Sequence, residues 1–304
     1  MRTLEFEIPE EYNGRPALHF LKRHAGFSSR IIRNLKNVPD GMLLNGEHTR
    51  TVDILHTGDI LTVNMPPEST TLPENEFFSV DLESREEADR LFSEIEILYE
   101  DRDILVLSKP GVLSVHQTHS HRGDTVADFV QERMFRQGGD TVFRAVGRLD
   151  KGTSGIVVCA LNPFSASKLQ GNIEKTYYAL PTGRFEGAGT IDFPIYRPDP
   201  LKVKRAVGEV GDRAVTHWKA LKTGDIISFV EINLETGRTH QIRVHFASLG
   251  APLLGDRLYG VSDGRIERQA LHCGRATLVH PVTGEEMEFV AGLPEDMNRI
   301  IEML

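Results

Sequence analysis

The sequence has little that would hold it in an oxidising or membranous setting. Its 304 residues include only two cysteines, Cys159 and Cys273, both set among apolar neighbours. That is too few for a disulfide framework, and they read as small buried hydrophobes suited to a reducing compartment. No apolar run approaches the ~20 residues a membrane helix needs, and no charged-then-apolar leader opens the chain. A soluble, cytoplasmic protein is expected. Repeats are missing, and aromatics make up only 7%, yet a hydrophobic share of 39% suffices for a packed core.

Positive charge is also scarce, with a net charge of −9. The deficit is local. Residues 1–66 carry 8 Lys+Arg against 8 Asp+Glu, residues 67–100 carry 2 against 11, and residues 101–304 carry 25 against 25. Either neutral region can still present a basic face, so the balance neither excludes nor supports a nucleic-acid partner.

This length predicts two domains, or one large domain with an appendage. Residues 1–66 read as a small α/β unit. Leu4–Ile8 alternates as a strand. Leu18–His24 has helical spacing, and a second helix runs from Ser28 or Ser29 to Lys36, with Ile31, Ile32 and Leu35 on its apolar side. Arg30, Arg33 and Lys36 lie on another side: a solvated face, or a stripe that tracks phosphates. Short strands follow at Met42–Leu44 and Ile60–Val63. Residues 67–93 have the acidic, Pro- and Ser/Thr-rich composition of a linker, with a short helix at Glu86–Phe92.

Residues 94–304 form the body. Strands are expected at Ile95–Tyr99, Ile104–Leu107, Glu174–Leu180 and Phe229–Leu234, and a helix at Thr125–Gln137 that Asp124 would cap. The strand–strand–turn rhythm without regular βαβ units predicts an α+β class. The sheet should be mixed but largely antiparallel, with flanking helices and a central cleft.

The densest stretch is Val146–Ala160. Asp150 lies between Arg148 and Lys151, followed by Gly152, Thr153, Ser154 and Gly155, and then an uninterrupted apolar run. This is a tight loop that delivers a carboxylate and enters a buried strand. Further along, Tyr177 and Tyr178 must face opposite sides of their strand. Lys202, Lys204 and Arg205 form either a phosphate-binding arrangement or an exposed charged hairpin. Glu235–His245 leads into a helix with Ile242, Phe246 and Leu249 on its apolar stripe and Arg243 near its start; Gly250 would close it. His116, His119 and His121 form an H-x-x-H-x-H cluster that lacks a fourth ligand, so no metal is expected.

Arg148-Leu149-Asp150-Lys151-Gly152-Thr153-Ser154-Gly155 resembles the R-L-D-x-x-T-S-G signature of the RluA family of RNA pseudouridine synthases. Tyr99 through His116, Lys175-Thr176-Tyr177, Thr236 through His245, Leu253 through Gly260 and Gln269 through His272 continue the likeness in order. It covers roughly residues 95–300. Residues 13–65, with Leu44-Asn45-Gly46 and Gly58-Asp59-Ile60, resemble the S4 RNA-binding domain. The resemblance implies the pseudouridine synthase fold and isomerisation of uridine to pseudouridine. Asp150 would be the catalytic carboxylate, as nucleophile at C1′ or as base at the sugar. Tyr177 would stack on the uracil and assist at C5, and Arg243 would pair with Asp150. Arg148 would fill the place of the extruded base. Arg30, Arg33, Lys36, Lys109, His116, Lys202, Lys204, Arg238 and His240 would contact RNA. Ribosomal RNA of the large subunit is the preferred substrate, with tRNA the alternative. No cofactor and no obligatory protein partner are called for.

Two departures from the family pattern bear on the pocket rim. Gly147 stands where His is common, and Gly152 where an acid is common. Two rival readings are a noncatalytic RNA-binding or ribosome-assembly factor, which predicts disruption at Asp150, Tyr177 or Arg243, and a glycosidic hydrolase. The hydrolase needs a second acid, for which Glu231 and Glu235 are the candidates by position.

Overall fold

The computed structural model describes residues 2–66, 82–117, 123–137 and 142–304. The N-terminal unit contains β1 (Arg2–Glu7), β2 (Arg15–Pro16), α1 (Ala17–Arg23), α2 (Ser29–Leu35), β3 (Met42–Leu44), β4 (Glu47–His48), β5 (Ile54–Leu55) and β6 (Ile60–Met65). Four of these strands form a sheet in the order β1-β6-β3-β4, all antiparallel. Leu4, Leu61 and Val63 meet Phe20 and Leu21 of α1 and Ile31, Ile32 and Leu35 of α2 in a common core. Ser28 caps α2 by accepting the Ile31 N–H at 3.3 Å. The buried triad fixes the roll of α2, so Arg30, Arg33 and Lys36 are exposed.

The described end of the acidic segment is helical. α3 (Leu82–Ser93) is longer than the expected Glu86–Phe92 helix, and Leu91 and Phe92 pack on the body, where Phe92 meets the Phe129 ring at 5.5 Å. Two apolar residues at one end anchor a helix whose charge content alone reads as linker.

The body comprises β7 (Glu96–Glu100), β8 (Ile104–Lys109), α4 (Val126–Arg136), β9 (Arg144–Val146), β10 (Ser154–Ala160), α5 (Pro163–Leu169), β11 (Ile173–Ala179), β12 (Ala188–Asp192), β13 (Ile195–Tyr196), β14 (Ala206–Val207), β15 (Val215–Thr223), β16 (Ser228–Leu234), α6 (Gln241–Ser248), β17 (Leu271–Val279), β18 (Glu286–Val290) and α7 (Glu295–Glu302). Its ten-stranded sheet runs β12-β15-β16-β11-β17-β10-β8-β7, with β18 on β17 and β9 on β10. As expected, the architecture is α+β and the sheet is mixed but largely antiparallel. Its parallel pairing is a short seam at the centre, Ser154 opposite His272 and Gly155 opposite Cys273. At Gly155, φ is +104° and any Cβ would collide with the Cys273 carbonyl, so this seam requires glycine.

Two details differ from the sequence reading. Thr125, not Asp124, caps α4: its hydroxyl accepts the Asp128 N–H at 3.2 Å while Asp128 accepts the Thr125 N–H at 3.0 Å. The reciprocal pair satisfies two end groups at once, which a single Asp cannot. Leu249 is 46% exposed, because α6 ends at Ser248 and the chain turns through Gly250 at φ +74°.

The two cores touch. Phe164 of α5 is buried in the N-terminal cluster, 4.6 Å from the Phe27 ring. Arg2 holds Asp103 through two hydrogen bonds of 2.9 and 2.6 Å, and Asn162 donates to the same carboxylate at 2.8 Å. Asp101, Asp103 and His280 offer ligand atoms close together, but Arg2, Asn162, Tyr99 and the Asp101–His280 contact of 3.0 Å already occupy them. This cluster is a structural junction. No helix among the described residues is long and apolar enough to cross a membrane.

Candidate active site

A cleft of about 690 Å³ opens beside the central seam, lined by the 147–153 loop, β11 and the start of α6. The loop leaves β9 through Gly147 (φ +78°) and enters β10 after Gly152 (φ +88°). Three consecutive carbonyls are gripped from beneath. Gln269 donates to Lys151 O at 2.8 Å, Arg268 to Gly152 O at 3.1 Å, and the Lys109 ammonium to Thr153 O. The Gly152 N–H completes the grip on Gly111 O at 2.8 Å. With its backbone so held, the loop has little freedom to move Asp150, whose side chain is 18% exposed at the cleft.

Lys109 therefore requires a correction. Read as an RNA contact, it is 2% exposed and also donates to Leu113 O at 2.8 Å. Burial, with the nearby Arg268 charge, lowers its pKa to about 7 against the pull of Asp150. It supports the loop and is out of reach of a macromolecule.

Tyr177 projects from β11 into the cleft and Tyr178 to the opposite side, against Phe229 at 5.8 Å. Burial, then the neighbouring Cys273 and Asp150, pushes the Tyr177 phenol well above the ordinary tyrosine range. It is a neutral aromatic surface at neutral pH.

α6 supplies the cations. Gln241 fixes its start by accepting from Arg238 N at 3.0 Å and from Thr236 at 2.8 Å while donating to Val215 O and Thr216 at 3.0 Å each. His240 sits at φ +60°, a left-handed conformation that a non-glycine residue adopts only when its surroundings hold it there. Its Nε2 lies 3.9 Å from Asp150 Oδ2, and burial lowers its pKa despite that carboxylate. Arg243 comes within 3.6 Å of Asp150 but makes its hydrogen bonds elsewhere, to Asp256 at 2.7 and 2.8 Å. Burial alone would raise the Asp256 carboxyl; Arg243 and the N–H groups of Leu258 and Tyr259 hold it below the usual range.

Tyr259 joins these parts. Its hydroxyl accepts the Arg205 N–H at 2.8 Å and lies 3.0 Å from His240 Nδ1. The guanidinium of Arg243 lies 5.3 Å from the ring centroid and the Lys204 ammonium 5.6 Å. Asp256, Tyr259, Arg268 and Gln269 carry no role in the sequence reading, although Gln269 opens one stretch of family likeness. The only sign of the first two was Gly255-Asp256 and Tyr259-Gly260 in a stretch of family likeness to which no role was attached.

The remaining expected contacts divide into groups. Arg148, Arg238 and His240 line the cleft. His116 is exposed against Phe143 at 5.6 Å, its pKa lowered by burial and then by Arg148; His119 and His121 lie outside the described residues. Lys202 and Lys204 sit on the loop joining β13 to β14, where Lys202 pairs with Asp199 at 3.6 Å. Arg30, Arg33 and Lys36 remain on the N-terminal unit, with Arg30 close enough for its charge to lower the Arg144 pKa, after burial. Of the hydrolase candidates, Glu231 does not line the cleft. Glu235 is held by Arg213 at 2.6 Å and His217 at 2.9 Å, which depress its carboxyl, the reverse of what a general acid needs.

Comparison with known proteins gives the same answer. A family model described as RNA pseudouridylate synthase matches residues 103–248. "Uncharacterized RNA pseudouridine synthase YjbO" of Bacillus subtilis is 35% identical over 91% of this chain and 95% of its own. Ribosomal large subunit pseudouridine synthase D of Pseudomonas aeruginosa is 33% identical over 98% and 94%. Among solved structures, Human RNA Pseudouridylate Synthase Domain Containing 4 superposes with a TM-score of 0.56 at 25% identity, covering 72% of this chain and 96% of that one. Domain Containing 1 gives 0.54 at 27%, covering 70% and 95%. Relatives named as RNA pseudouridine synthases thus match nearly the whole of a chain whose cleft holds a carboxylate on a clamped loop, an aromatic wall and a buried arginine, and the protein belongs to the RluA-type RNA pseudouridine synthases, which isomerise uridine to pseudouridine.

Proposed function

We propose that this enzyme modifies uridine in large-subunit ribosomal RNA, with Asp150 as its catalytic carboxylate. The supporting observation is the convergence of Asp150, Tyr177 and Arg243 on one cleft. Isomerisation breaks the N1–C1′ bond, turns the base and joins C5 to C1′, with loss of the C5 proton. Asp150 acts at the sugar as nucleophile or base. Arg243 favours its ionised form. Tyr177 retains the freed base by stacking and lies beside the C5 proton that must leave. Arg148, exposed at the cleft edge, fills the space of the extruded nucleotide.

The ribosomal assignment draws on the name of the Pseudomonas relative, which this chain matches from end to end. Residues 1–66 are an S4-like RNA-binding domain whose α2 carries the basic stripe, residues 67–93 are the connecting segment with α3 docked on the body, and residues 94–304 are the catalytic domain. The enzyme works in the cytoplasm.

Tritium release from unmodified ribosomal RNA and tRNA labelled with 5-tritiated uridine tests this reading. Release from ribosomal RNA by wild type, absent with Asp150→Asn, is expected. Equal release by both proteins would overturn the role of Asp150, and release from tRNA alone would overturn the ribosomal assignment.

A further inference from the structure

Four arginine and lysine side chains line the cleft: Arg148, Lys175, Arg238 and Arg243. Arg243 has Asp256, and Arg238 lies 3.8 Å from Asp212 and donates to Arg213 O at 3.0 Å. Arg148 is exposed and solvated. Lys175 is different. It is half-buried in the cleft wall, yet among the described residues its side chain makes no hydrogen bond or ion pair. The carboxylates that line the cleft do not neutralise it: Asp150 faces Arg243 and His240, Glu235 is taken by Arg213 and His217, and Glu174 makes no ion pair with it. A partly desolvated ammonium without a counter-ion is costly unless a ligand supplies the anion.

Its position indicates which anion. Lys175 and Tyr177 stand two residues apart on one strand, so they share a face at a spacing of about 7 Å. Burial increases along that face, from Ile173 and Lys175, half-buried, to Tyr177 at 8% exposure. The deep end of this face is thus Tyr177, and Lys175 stands between it and the cleft mouth. The opposite wall is open there. Gly147 has no side chain, and a Cβ at that position would lie 3.6 Å from the Lys175 ammonium. Its φ of +78° disfavours any other residue. The departure from the family's usual His at this position leaves the lysine uncovered.

We propose that Lys175 and the opening left by Gly147 form a phosphate subsite that holds the RNA backbone beside the target uridine. The proposal rests on the synthase reading above. It makes Lys175 a ground-state binding residue: it grips the strand equally before and during bond breaking, so it acts on KM and leaves kcat alone.

The test uses the full-length enzyme with an unmodified large-subunit ribosomal RNA transcript, in wild-type, Lys175→Ala and Lys175→Arg forms. Two quantities are read: tritium-release kinetics, and the slope of log binding constant against log salt by filter binding. For Lys175→Ala, KM should rise about tenfold with kcat nearly unchanged, and the salt slope should flatten by about 0.7, the loss of one single-strand phosphate contact. Lys175→Arg should restore both. An unchanged KM and slope would overturn the subsite. So would a fall in kcat alone, which would place the cation against the departing base. If no RNA releases tritium with wild type, the substrate assignment fails, while the salt slope on the same transcript still decides the subsite.

Discussion

Arg243 gives its two best hydrogen bonds to Asp256, at 2.7 and 2.8 Å, and faces Asp150 only at 3.6 Å. The arginine is thus fixed by one carboxylate while its charge lies within reach of a second that lines the cleft. Truncating one partner of a buried ion pair leaves an uncompensated charge at a cost of about 3–5 kcal/mol. Asp256→Asn should therefore lower both the urea midpoint and tritium release, whereas Asp150→Asn should abolish release with little loss of stability. An Asp256→Asn enzyme with wild-type kinetics would show that Arg243 needs no such anchor.

The same pair has an acid-side signature. The folded-state pKa of Asp256 lies below its unfolded value, so its stabilisation is complete above the ordinary aspartate range and is lost as pH falls through the lowered value. Urea unfolding of wild type and Asp256→Asn at decreasing pH should converge below about pH 3.9. A gap that stays constant to pH 2 would contradict this.

Lys109 gives an opposite trend. Its folded pKa is about 7 against an ordinary 10.5, so between these values the unfolded chain binds more protons than the folded one. Folding stability then rises with pH across that window. Relative to Lys109→Met, the wild type should gain stability from pH 7 to pH 10, measured by urea midpoint. Wild type losing ground would mean that the Pro110, Leu113 and Thr153 carbonyls hold the ammonium fully charged.

Tyr259→Phe keeps the ring beneath Arg243 and Lys204 but strands the Arg205 N–H and His240 Nδ1. The Arg205 bond lies away from Asp150 and should act on stability; the loss of the His240 bond alone, about 1 kcal/mol, predicts roughly a fivefold fall in kcat/KM, and Tyr259→Leu should fall further. Equal loss in both would assign the whole effect to the hydroxyl.

Gly155→Ala should fail structurally. The methyl meets the Cys273 carbonyl across the parallel seam at a φ of +104°, and a melting scan should show a strongly destabilised or insoluble protein. Near-native melting would require the seam to open.

Much of this was legible in the sequence because it is local. Strand alternation alone separates Tyr177 from Tyr178, and the Ile31-Ile32-Leu35 spacing alone turns Arg30, Arg33 and Lys36 outward. What was not legible lies in long-range partners. Asp256, Arg268 and Gln269 become meaningful only when the fold brings them to Arg243 and the 151–153 carbonyls. Lys109 is the same case: lysine is usually exposed, and the carbonyls that hold it belong to Pro110 and Leu113 and, 44 residues away, to Thr153 of the loop. α3 was underestimated because eleven acids in residues 67–100 outweigh two apolar anchors in any compositional reading.

The grip on the catalytic loop has a temporal consequence. Asp150 emerges from the ribosome well before Arg268 and Gln269, and Arg268 is itself tied to Asp296 of α7 by two bonds of 2.8 Å. A nascent chain that has reached the cleft's aromatic wall already contains Lys109 and Gly111, which hold Thr153 O and the Gly152 N–H, but not the partners of the Lys151 and Gly152 carbonyls. The grip on the loop is therefore completed only by residues made more than a hundred positions after it, the separation being 116 for Arg268 with Gly152 and 118 for Gln269 with Lys151.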